Sequence, residues 1–180
     1  MRPATLTLLL AALTASAPSA QEAAPGGERQ SMSLPGLGGN SRIDCQVMDY
    51  EGSTGRLHAR GSVAVRSDDF NIDCEELIYD ETGHSMSATG QRVQIQMGEL
   101  VAVGGTLNYN TESGSMTLER GAATDQPYVV QQQEGSVFTA WADTIVIDQD
   151  ASGEAVTRFE GNVQVRTTSE TTPAEGPAMP

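Results

Sequence analysis

Between Arg42 and Thr167 the apolar residues recur at every second position. "RLHARGSVAVR" sets Leu57, Ala59, Val63 and Val65 on one face and Arg56, His58, Arg60 and Arg66 on the other. "RVQIQM" alternates Val93, Ile95 and Met97 with polar partners, and "RFEGNVQVR" does the same with Phe159, Val163 and Val165. Successive side chains of a strand point to opposite faces, so this period predicts half-buried strands. Turn residues interrupt the pattern at Gly52–Gly55, Asp68–Asp69, Asp80–Gly83, Gly104–Gly105, Glu112–Gly114, Glu134–Gly135 and Asp150–Gly153. Short strands with frequent turns, and no helical stripe, predict an all-β fold: a sandwich, barrel or β-roll.

The pattern also repeats at longer range. Cys45 aligns with Cys74, Tyr50 with Tyr79, Leu57 with Met86, Ala59 with Ala88 and Gly61 with Gly90, each offset by 29. "GTLNYNTESGSMTLERG" supplies a third copy with Tyr109, Met116, Leu118 and Gly121. "ADTIVIDQDASGEAVTRFEGNVQV" supplies a fourth with Ile147 and Gly161. The chain thus reads as a hairpin written four times: strand, Gly-containing turn, strand. One such unit cannot bury its apolar face alone, whereas stacked units bury it continuously. The closing glycines step by 29, 31 and 40, and the long last step leaves room for an additional strand around "QPYVVQQQEGSVF". That strand is expected to close one end or to add an edge hairpin.

Composition narrows the function. The net charge is −14, from 24 acids against 10 basic residues that are all Arg. Such a balance argues against nucleic acid, whose binding depends on neutralising phosphates, and against a polybasic membrane contact. Residues 1–20, with Arg2 before the short apolar run Leu6–Leu13 and small residues leading to Ala20, have the layout of a secretory signal peptide. Residues 21–41 are rich in Gly, Pro and Ser and read as a flexible leader, and 168–180 as a disordered tail. The folded domain is 42–167.

An oxidising compartment permits a disulfide, and Cys45 and Cys74 hold equivalent places in adjacent repeats. The expectation is a Cys45–Cys74 bridge, with two buried thiols as the alternative. "SDDFNIDCEE" lacks the Gly-and-acid spacing of a calcium loop and reads as a solvated turn. His58 and His84 lie on the polar phase with no nucleophile motif, metal spacing or phosphate loop beside them. No enzyme, metal or cofactor is expected.

A unit of the form apolar–Asp–x–apolar–x–Tyr–Asp, Gly turn, then Ala–x–Gly–x–Val–x–Val resembles the OstA-like repeat of the LptA family. The resemblance is carried by Tyr50, Ala59, Gly61, Val63 and Val65 in the first copy, and by Tyr79–Asp80, Gly83, Ala88 and Gly90 in the second. In the last copy it rests on Ala142–Asp143, Ile147–Asp148, Gly161, Val163 and Val165. It implies a twisted antiparallel β-jellyroll of about four repeated hairpins, located in the periplasm, whose interior holds the acyl chains of lipopolysaccharide. The lipid-contact candidates are then Leu57, Val63, Val65, Ile72, Met86, Val93, Ile95, Met116, Leu118, Ile145, Ile147, Phe159, Val163 and Val165. Arg56, Arg60, Arg66 and Arg92 are the candidates for its phosphates, since the guanidinium fork suits them; their alternative is an outer face paired with neighbouring acids. The implied partners are lipopolysaccharide, the transport proteins of the inner and outer membranes, and further copies of this chain joined head to tail. The competing reading is a structural β-repeat envelope module that assembles end to end without lipid.

Overall fold

The computed structural model describes residues 29–34, 37, 40–121, 126–133, 135–149 and 155–169. The signal-peptide reading of 1–20, most of the C-terminal tail and the turn at 150–154 lie outside the described residues. Within them the chain is all-β: β1 (Gln30–Ser33), β2 (Arg42–Cys45), β3 (Val47–Glu51), β4 (Arg56–Arg66), β5 (Asn71–Asp80), β6 (Ser85–Met97), β7 (Leu100–Asn110), β8 (Met116–Glu119), β9 (Tyr128–Gln133), β10 (Ser136–Trp141), β11 (Thr144–Gln149), β12 (Ala155–Glu160) and β13 (Gln164–Ser169). They form one antiparallel sheet.

The sheet is a meander of long strands, each disturbed near its middle. β2 and β3 share one partner, β4, and are separated by Gln46, whose N–H donates to the carbonyls of Arg60 (3.2 Å) and Gly61 (3.1 Å). The register shifts between Arg60 and Val63 in β4, between Asp73 and Glu76 in β5, and between Thr89 and Val93 in β6. β8 and β9 divide β7 between them; β11 then continues from β8, and β10 from β9. β12 and β13 repeat the division on the last two strands.

These bends fold the sheet onto itself. Phe70 stands in the β4–β5 turn, while Tyr109 lies at the far end of β7, yet their rings meet edge to face at 5.5 Å and 75°. A straight β7 would hold its two ends about 30 Å apart. Between the folded halves lies a continuous core that includes the fully buried Ile43, Leu57, Ile72, Leu77, Ile95, Leu107, Leu118 and Ile145. Each such side chain contributes about 1.5–3 kcal/mol on burial.

Several expectations change. Gly104–Gly105 is not a turn: it sits inside β7, where a Cβ on Gly104 would come within 3.0 Å of the Glu119 carbonyl oxygen. The nearby turn is Gly98–Glu99, where Gly98 has φ +56°. The leader is not wholly outside the fold, because β1 pairs with β2, and Leu34 and Leu37 are buried. "QPYVVQQQEGSVF" does form a hairpin, β9 with β10, but not at an edge: β9 also pairs with β7 and β10 with β13, extending the rows of β8 and β11. Of the closing glycines, Gly61 and Gly90 lie within β4 and β6 at their register shifts, and Gly161 lies between β12 and β13.

Candidate functional site

The folded halves part along one seam. Its larger opening, a cleft of about 500 Å³, is lined by Met97, Glu99 and Leu100 at the β6–β7 turn, by Val129, Gln131 and Phe138 of β9 and β10, and by Ala155, Thr157 and Phe159 of β12. A smaller cleft of about 230 Å³ shares Met97 and Ala155 with it. This second opening reaches Leu37, Asp69, Phe70, Tyr109, Gly114, Met116, Ile147 and Asp148. Strand parity builds the walls. Thr157 and Phe159 alternate with Arg158, and Phe138 with Thr139, so one face of each strand turns to the cleft. The larger volume falls within the range of small-ligand and acyl-chain pockets, which are mostly apolar with a few polar groups.

The rim is acidic. Glu99 at the larger cleft and Asp69 at the smaller one are exposed, and among the described residues neither has a hydrogen bond or ion pair. Asp148 accepts hydrogen bonds from Ser115 and Arg158. Burial, and secondarily the charge of Asp69, pushes the Tyr109 hydroxyl above its usual pKa, so it is an uncharged donor at the wall.

Leu57, Val63, Val65, Ile72, Met86, Val93, Ile95, Met116, Leu118, Ile145 and Ile147 are buried in the core, and Phe159 packs against it half-buried. Of these, Met116 and Ile147 line the smaller cleft and Phe159 the larger. Val163 and Val165 are not interior: they are 48% and 59% exposed. Val165 does share the face of its partner, the buried Ala140. But among the described strands β13 pairs with β10 alone, at the outer edge of the sheet. Sequence reading missed Leu100, Val129 and Phe138. Phe138 was detectable as one of only 3 Phe residues, lying in the segment assigned to an end piece.

The arginines do not converge on a phosphate site. Arg56 pairs with Asp80 at 3.5 Å, Arg60 with Asp49 at 2.6 Å and Arg66 with Asp73 at 2.6 Å, while Arg92 donates to Gln94 at 2.8 Å. All lie on the outer face, and Arg56 and Arg66 stand at opposite ends of β4. Arg56, Arg60 and Arg66 thus pair with neighbouring acids, and Arg92 with an amide.

The cysteines are free and buried. Asp44 pairs with Ala64, so Cys45 falls opposite Val63, and Val63 pairs in turn with Cys74. With β4 between them the two Cα atoms are about 10 Å apart, beyond the roughly 7 Å limit for a disulfide. The equivalence of their repeat positions is itself the reason, because successive repeats place equivalent residues two strands apart. Burial raises both thiol pKa values, that of Cys74 to about 12. The Cys45 Sγ donates to the Val47 carbonyl at 3.3 Å.

No protein-family model matches the chain, and no curated protein does either. Among solved structures the chain is similar to LptH from Pseudomonas aeruginosa, described as the LptA-homologous periplasmic component of the conserved lipopolysaccharide transport device. The identity is 19% and the TM-score 0.54, over 71% of this chain and 94% of that one. The bent meander with an open seam is therefore an LptA-like β-jellyroll.

Proposed function

We propose that this chain is a periplasmic carrier that takes the acyl chains of lipopolysaccharide into the seam and passes them along a row of similar domains between the two membranes. The observation that carries the reading is the cleft into which Met97, Leu100, Val129, Phe138 and Phe159 bring apolar side chains beside the polar Glu99, Gln131 and Thr157. Its support is the likeness to a periplasmic lipopolysaccharide-transport component and the export-signal layout of residues 1–20. The partners in this reading are the inner- and outer-membrane proteins of the same device. Their contact would run through the strand edges at β1 and β3, and at β12 and β13, each paired on one side only among the described strands. Such edges accept another strand by main-chain hydrogen bonding.

A fluorescent long-chain fatty acid tests the site. Wild-type protein should bind it and lose it to added lipopolysaccharide, while Leu100→Asp and Phe159→Asp should weaken binding at least about tenfold, through a charge placed on an apolar wall. Undiminished binding by both folded variants would sink the proposal. The filled core favours one other reading, the structural envelope module without lipid. In that case the wild type binds no probe.

A further inference from the structure

The seam is built for apolar chains, yet its mouth has the wrong charge for an anionic head. Among the described residues no arginine lines either cleft. Arg42, Arg56, Arg60, Arg66, Arg120 and Arg158 are each committed to an aspartate. Arg166 has no ion pair among the described residues, but it pairs in register with Thr139, on the face opposite the cleft-lining Phe138. What stands at the rim is carboxylate. Glu99 at the larger cleft and Asp69 at the smaller one are exposed without a hydrogen-bond or ion-pair partner among the described residues, and Asp148, also at the smaller cleft, is already engaged by Ser115 and Arg158.

A phosphate seated at this mouth meets like charges beside an apolar wall, where water screens them less than in the bulk. A sugar meets acceptors instead: its hydroxyls donate to carboxylates, and hydrogen bonds to an ionised acceptor are the stronger kind. We infer that the seam, with Glu99 at its larger opening and Asp69 at its smaller one, selects, among ligands with the same acyl chain, one whose polar group at the mouth is an uncharged, hydroxyl-rich sugar over one that presents a phosphate there. The inference rests on the acyl-chain reading of the cleft and adds a specificity set by Asp69 and Glu99. For a phosphorylated glycolipid, it means that the phosphates are held away from this rim.

Two probes with one tail separate these points: dodecyl maltoside and dodecyl phosphate, each below its micelle-forming concentration, titrated into the full chain in chelator-containing buffer at neutral pH. At low ionic strength the maltoside should bind about three- to tenfold more tightly, and the gap should narrow as salt is added. The double variant Asp69→Asn, Glu99→Gln should close the gap, chiefly by improving the binding of dodecyl phosphate. Equal or tighter binding of dodecyl phosphate by the wild type would overturn the inference, as would a gap that ignores both salt and the double variant. Binding of neither probe would instead remove the acyl-chain reading itself, and the specificity with it.

Discussion

Cys45, Val63 and Cys74 stand in a row across three neighbouring strands, and that row decides the chemistry of both thiols. Each is shielded by core side chains and too far from the other to bond, so they act as small apolar residues. Their titration follows from burial. The Cys74 pKa rises from 9.0 to about 12 on folding, chiefly because burial penalises the thiolate. Below pH 9 the thiol is neutral in both states, and its full contribution is present. As the pH rises towards 12 the unfolded chain ionises first, so stability falls. Native protein should resist iodoacetamide at pH 8–9 and react at both thiols only in denaturant, and its urea midpoint should drop above pH 9. Cys74→Ala should flatten part of that drop. Rapid native alkylation of Cys74 would contradict the burial. The sequence made the two cysteines equivalent through the 29-residue offset and offered two buried thiols as the alternative to a bridge. It did not show the strand between them, because a repeat period gives equivalence along the chain and leaves spacing across the sheet open.

The strand is the scale at which the recurring "GSVAVR" and "GNVQVR" acquire a cause. Gly61 and Ser62 have φ of +79° and +49°, and Gly161 and Asn162 have +69° and +38°. Each pair places two successive residues in the left-handed region, which Gly enters freely and Asn or Ser tolerates better than a branched residue does. A Cβ on Gly61 would lie 2.5 Å from Gln46 Oε1, and one on Gly161 2.5 Å from Asp143 Oδ2. The Asp143 N–H bonds the carbonyls of Glu160 and Gly161, both at 3.0 Å, as that of Gln46 bonds those of Arg60 and Gly61. The repeated phrase is the signature of a bulge that bends the sheet shut. Gly61→Ala should cost about 1–3 kcal/mol in chemical denaturation. Adding Gln46→Ala should restore only part of that loss, since it relieves the contact and leaves the backbone strain. A loss below about 0.5 kcal/mol would mean that the bulge relaxes easily. The alternation of Leu57, Ile95 and Ile145 made the strands readable. Gly104–Gly105, inside β7 beside its register shift, was misread as a turn because Gly marks a turn and a strand irregularity alike.

Across the whole molecule, two kinds of apolar surface stay uncovered. One lies along the outer strands, where Val47 and Tyr50 of β3 and Val156 of β12 are exposed together with Val163 and Val165. If these edges join copies end to end, Val165→Lys should shift the weight-average mass in sedimentation equilibrium towards monomer without changing the β spectrum. Unchanged association would assign it to another interface. The other uncovered surface is the seam, and it was hardest to read because its walls come from β6, β7, β9, β10 and β12, brought together only by the bends. Period tells which face is apolar, but whether two apolar faces touch or stand apart depends on the fold.

The most direct measurement is photo-crosslinking of lipopolysaccharide from Leu100 and Phe159, with Ile72 in the closed core and Arg158 on the outer face as controls. Capture at the two cleft positions and at neither control is the predicted result. Capture at all four positions alike, or at none in a well-folded protein, would contradict a seam that holds acyl chains.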